Sequence, residues 1–117
     1  LEPAAGPPRG RTLVRNIGLL LSGDLARPVL DSDAILVEDG RIAAIGRGAE
    51  LRDRGPFDAV IDCHGSAVAP GLVDSHVHPV FGDWTPRQNQ IGWVESCLNG
   101  GVTTMISAGE VHTPGRP

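Results

Sequence analysis

Residues 70–79 read PGLVDSHVHP and place His76 and His78 one residue apart at the end of a short apolar run. Successive side chains of a strand leave opposite faces, so the two imidazoles share one face while Val77 turns away. Two neighbouring imidazoles can chelate one metal ion. Zinc and similar metals take neutral imidazole nitrogen at roughly 2.0–2.1 Å, and a catalytic zinc uses about three protein ligands with a further position kept for water. The pair is therefore an incomplete site, and a lone His-x-His also occurs on half-exposed strands that bind nothing.

The flanking residues add to it. Pro70-Gly71 ends one element and starts another. Leu72, Asp74, His76 and His78 then fall on one face, and Val73, Ser75 and Val77 on the other. Pro79 removes a ladder donor and ends the strand. An acid and two histidines on one face of a strand that runs into a loop fit a barrel strand, whose site-facing residues lie at its C-terminal end. Asp74, deeper on that face, is either an acceptor for the far ring nitrogen of a ligand histidine or a polar group satisfied in the barrel floor.

Residues 34–46 (AILVEDGRIAAIG), 60–71 (VIDCHGSAVAPG), 70–79 and 100–104 (GGVTT) resemble, in that order, the amidohydrolase superfamily of metal-dependent hydrolases. The resemblance covers residues 12–117. It implies an α/β fold, with the N-terminal part of a β-sandwich followed by the first strand, helix and second strand of a (β/α)8 barrel. The expected divisions are a lead-in at 1–11, a sandwich segment at 12–70 and the start of the barrel at 71–117. A (β/α)8 barrel takes about 250 residues, against 117 here, so the resemblance implies the N-terminal part of a longer protein, inactive alone and without the catalytic acid or base.

The same resemblance implies a divalent metal held in part by His76 and His78. Zn is expected, with Fe or Mn as alternatives and one or two ions. The metal would activate water and polarise a carbonyl, giving hydrolysis of a C–N bond other than a peptide bond. A carboxylated lysine that bridges two metals in many members has no counterpart, since all ten basic residues are Arg. Other members use a glutamate, so the number of metals stays open. Residues 82–117, with DWTPRQ and MISAGEVHTPGRP, look most like the enamidase branch, which opens cyclic enamides. The expected substrate is then a small cyclic amide carrying a carboxylate, and the intact protein is expected to be a homo-oligomer.

A carboxylate substrate needs donors, and the loop after the second strand offers His112, either as a substrate contact or as a solvated loop residue. Glu110 lies on the same loop. Asp83, Trp84 and Arg87 follow the first strand; Arg87 could grip a carboxylate as a bidentate fork or simply lie on a helix surface, and Arg116 stands further out. Cys63-His64 might suggest a nucleophile and its base, but adjacent residues of a strand face opposite sides. Two other classes compete with a C–N hydrolase of this kind. One is a non-catalytic barrel relative that serves as a scaffold, which has no reason to keep two chelators on one face; the other is a deaminase or deacetylase of the same superfamily. Residues of barrel strands four to eight would discriminate among them.

A net charge of -4 and the absence of any basic patch argue against nucleic-acid binding. No apolar run approaches the roughly 20 residues that cross a bilayer. Two cysteines without metal or framework spacing suit a reduced, cytoplasmic setting. With aromatic residues at 3% and no Tyr, any core must be built from Val, Ile, Leu and Ala.

The elements that would position the site follow from local signals. Residues 12–22 read as one or two strands broken near Asn16 or Gly18, and Gly23-Asp24 as a turn. Residues 34–38 and 41–45 form a hairpin about Asp39-Gly40. Residues 47–58 read as a polar surface connection with a helical turn at 49–52. Strands follow at 60–62 and 67–69 around a Gly65-Ser66 turn. Thr85, Pro86 and Gln88 signal a helix start at Pro86, Ile91, Val94 and Leu98 its strand-facing side, and Asn99-Gly100-Gly101 its end. Residues 102–107 form the second barrel strand, and strand, helix and strand in this order predict a parallel pair.

Overall fold

The computed structural model describes residues 9–78 and 92–108. The chain divides at Pro70–Gly71 into two compact units. In the first, β1 (Arg11–Arg15), β4 (Ala34–Glu38), β5 (Arg41–Gly46) and β6 (Ala59–Asp62) form a four-stranded sheet in the order β5-β4-β1-β6. The strands β2 (Leu19–Leu21), β3 (Val29–Leu30) and β7 (Ala67–Val68) form a second sheet in the order β3-β2-β7. β1 runs antiparallel to β4 and parallel to β6.

Alternation explains how these sheets are held. On β4, Ala34 and Leu36 leave one face and pack with Leu13 of β1 and Leu51. Ile35 leaves the other and packs with Ile17 and Leu20, with Val14, Val37, Leu30, Cys63 and Val68 around them. An unbroken apolar run is what a strand needs when both of its faces are covered. The second cluster joins the two sheets. The first lies on the far side of the four-stranded sheet, beneath α1 (Gly48–Leu51) and the single 3-10 turn at Arg52–Arg54.

The stretch at 47–58 is thus more than a surface connection. Its helical turn falls where expected, yet Leu51 is only 5% exposed and Phe57 packs partly against the same cluster. Four helical residues are too few to display a period, so their one inward side chain left no pattern. The chain passes from β1 to β2 through Asn16, at φ 54°, within the expected break. The hairpin turn at Asp39-Gly40 has φ of 49° and 77°, both positive as a tight two-residue turn requires. Strand β3 had no signal, being two residues long. The turn before β7 centres on His64-Gly65 rather than Gly65-Ser66, with φ of 48° and 79°; histidine is among the side chains that tolerate this region.

In the second unit, β8 (Leu72–Val77) pairs in parallel with β9 (Val102–Ser107). α2 is described over Gly92–Asn99 and ends at Gly101, whose φ of 92° suits glycine. The expected helix start at Thr85 and Pro86, and Ile91, lie outside the described residues. Val94 and Leu98 remain 40% and 59% exposed, because a pair of strands is too narrow to cover a helix face. Gly71 is required by close approach: a Cβ there would collide with the Thr103 side chain. Among the described residues no helix is long and apolar enough to cross a membrane.

Leu51→Ala should therefore destabilise the first unit by about 2–4 kcal/mol, as truncation of a buried leucine does. Urea unfolding should show a lower midpoint at unchanged slope. A shift within error of wild type would mean that the connection lies on the surface after all.

Candidate metal centre

His76 occupies the next-to-last position of β8 and His78 follows its end. Both are exposed, and Asp74 is half-buried on the same strand. The ring centroids stand 5.0 Å apart with planes at 77°, and the two Nε2 atoms converge to 3.2 Å. Two nitrogens at roughly 2.0–2.1 Å from one tetrahedral ion sit about 3.3–3.4 Å from each other by simple trigonometry. The observed bite matches that separation, so this donor pair fits a single metal. The same 3.2 Å suits a hydrogen bond in which one neutral imidazole donates to the other.

Asp74 has a main-chain partner that the sequence did not point to. Its Oδ1 accepts from the backbone N–H of His76 at 3.1 Å. At the same end of the sheet, Ala108 N–H donates to the carbonyl of Val77 at 2.9 Å. No group of three or more His, Cys, Asp and Glu comes together among the described residues. Asp83, Trp84, Arg87, Glu110, His112 and Arg116 lie outside them.

Cys63 and His64 do not form a nucleophile and base. The reason is not strand alternation, since His64 stands in the turn after β6 with its ring out in solvent, while Cys63 packs against the core between the sheets. Asp62 organises this corner. Its carboxylate accepts from Asn16 Nδ2 at 2.7 Å and from the His64 amide at 2.9 Å, and Arg15 Nε lies at 3.4 Å. The hydrogen bond from Asn16, then that from the His64 amide, hold the Asp62 carboxyl below the ordinary aspartate range, with the charges of His64 and Arg15 adding to this. Sequence reasoning passed over Asp62 because its partners are brought in by sheet pairing.

Three comparisons bear on this arrangement. The model of a bacterial imidazolonepropionase-like composite domain matches residues 34–54. In sequence and in its mixed α/β architecture the chain resembles the amino-terminal part of an amidohydrolase-superfamily protein. In particular it is similar to enamidase of Eubacterium barkeri, with 55% identity over 107 residues, covering 92% of this chain and 28% of the relative. The crystal structure of enamidase, described as a member of that superfamily, superposes over the same shares of the two chains with a TM-score of 0.76. Imidazolonepropionase of Paenarthrobacter aurescens (strain TC1) is 41% identical over 98 residues, covering 83% of this chain and 23% of the relative. L-Hydantoinase (dihydropyrimidinase) from Arthrobacter aurescens is 32% identical with a TM-score of 0.62, covering 82% of this chain and 20% of that one. The chain thus spans under a third of the length of each of these relatives.

The lowered Asp62 carboxyl has a pH consequence. A depressed folded-state value contributes stability above the ordinary aspartate pKa and loses it as pH falls through the lowered value. Thermal melts between pH 7 and pH 2 should show wild type more stable than Asp62→Asn at neutral pH, with the gap closing in acid. A constant gap throughout would place its source elsewhere than in the charge.

Proposed function

We propose that the protein hydrolyses a C–N bond of a small cyclic amide, as a metal-dependent hydrolase of the enamidase kind. The single observation that carries this is the convergence of His76 and His78 Nε2 to 3.2 Å at the end of a parallel strand, in a chain 55% identical to enamidase. The names imidazolonepropionase and hydantoinase point to nitrogen-containing rings and enamidase to an amide bond, which favours this reading over a scaffold. Residues 12–70 are proposed as a sandwich segment and 71–117 as the opening of a (β/α)8 barrel. The working protein is proposed to be a cytoplasmic homo-oligomer.

In this reading His76 and His78 donate two imidazole nitrogens to a divalent metal, Zn by preference for this ligand type. Such an ion supplies an activated water and a polarised amide carbonyl. Each histidine must then be neutral at Nε2, with its proton on Nδ1. The strand holds both at one edge, and the remaining ligand, the acid and the base come from outside the described residues. His112 is proposed to meet the substrate carboxylate, with Arg87 as a second donor.

His76→Ala or His78→Ala should each strip metal from the full-length protein and lower turnover by more than the roughly 10- to 100-fold that loss of an outer partner costs. Metal analysis and steady-state kinetics read both, and full occupancy with full turnover would refute the ligand assignment. The branch is tested by comparing a cyclic enamide acid, dihydroorotate and an acyclic amide. The cyclic enamide acid should be preferred, with kcat/KM falling in His112→Ala while folding is kept. Preference for either other substrate removes the enamidase reading and leaves the superfamily; an unaffected His112→Ala removes that residue's role.

A further inference from the structure

The ladder between β8 and β9 is interrupted beside the two histidines. Asp74 pairs with Met105 and the next pair is Val77 with Ser107, so β8 advances three residues while β9 advances two, the reverse of the shift between Leu72 and Val73, where β9 advances two residues against one. Such an extra residue bends a strand and re-aims the side chains it carries. His76 lies inside this interval, and its amide donates to the Asp74 carboxylate. Its ring is exposed and so has little packing to choose its direction. Among the described residues the imidazole is fixed by its contact with the His78 ring and by the path of the backbone beneath it, which the Asp74 acceptor holds.

We infer that Asp74 is a positioning residue, whose carboxylate holds the His76 amide within the bulge and thereby sets His76 Nε2 against His78 Nε2. This role rests on the chelation reading given above. It differs from the usual outer partner, which steadies a ligand through its second ring nitrogen: Asp74 acts through the main chain. A 1 Å drift of one Nε2 would take the pair outside the bite of a single ion, whose bonds to imidazole vary by only about 0.2 Å.

The test uses the full-length protein as wild type, Asp74→Ala, Asp74→Asn and His76→Ala. Zn2+ affinity is measured by competition with a chromophoric chelator, and hydrogen exchange is followed in the peptide spanning residues 72–78. Asparagine keeps an acceptor oxygen and alanine does not. Asp74→Ala should bind Zn2+ about 10- to 100-fold more weakly and exchange faster, while Asp74→Asn should stay close to wild type in both. Wild-type affinity in Asp74→Ala overturns the inference. So does a loss in Asp74→Asn as large as that in Asp74→Ala, because charge and not the amide contact would then be at work. If Asp74→Ala fails to fold, Asp74→Val, a strand-forming residue without an acceptor, takes its place: weaker Zn2+ binding with faster exchange supports the contact, and wild-type affinity overturns it. His76→Ala separates the two levels. Retained Zn2+ there defeats the chelation reading itself, whereas loss there with wild-type affinity in Asp74→Ala defeats only the positioning role.

Discussion

The antiparallel contact of β1 with β4 is the constraint on which the first unit depends. Leu13 stands opposite Leu36 and Val14 opposite Ile35, so one pair sends both side chains to one face and the next pair sends both to the other. Leu13 and Leu36 enter the cluster under α1, and Ile35 and Val14 enter the cluster between the sheets. A polar residue at any of these positions would cost more than its own burial, since an unpaired polar group in such a site costs about 1–3 kcal/mol. Low aromatic content leaves branched and small aliphatics to fill both clusters, and Ala34 permits the close approach that α1 needs. β5 and β6 extend the sheet from the two edges of this pair.

The second unit works under a different constraint. Parallel strands cannot be joined by a tight turn and need a crossover, which here includes α2 between β8 and β9. A parallel pair also brings the C-terminal ends of both strands to one edge, so whatever follows β8 and β9 emerges together. His78 emerges there, immediately after Val77. Leu72, Val73 and Ile106 remain exposed at 60%, 61% and 53%, more apolar surface than a finished sheet leaves to water. The edge that carries the histidines is thus set by strand direction.

What could be read from the sequence follows the range of each physical cause. Asp39-Gly40 declared the hairpin because positive φ at two successive positions admits few residue types, and residues 102–107 declared β9 by β-branched content between a helix stop and a loop. The shared face of His76 and His78 came from the period of a strand, which is purely local. Val29–Leu30 and the inward turn of Leu51 escaped because two and four residues carry no period. The link from Asp62 to Asn16 escaped because sheet pairing brings together residues 46 apart in sequence. The contact of Asp74 with the His76 amide escaped, since alternation of side chains says nothing about main-chain partners.

Chelation by His76 and His78, as proposed above, would draw both ligands from one short segment. Ligands two residues apart share one backbone segment, so their separation is set before any other element arrives, and little ordering entropy is left to lose when the ion binds. The same closeness makes the pair sensitive to that segment alone. In a flat strand, same-face side chains stand about two residue rises apart, roughly 6.6 Å between Cα atoms, and the imidazoles must lean together to bring Nε2 to Nε2 at 3.2 Å. A local bend supplies part of that lean, and the 77° between the ring planes shows that the rings meet edge to face and not stacked. Nitrogen lone pairs lie in the ring plane, so crossed planes let both point toward one position in space, as a shared ion demands and as stacked rings would prevent.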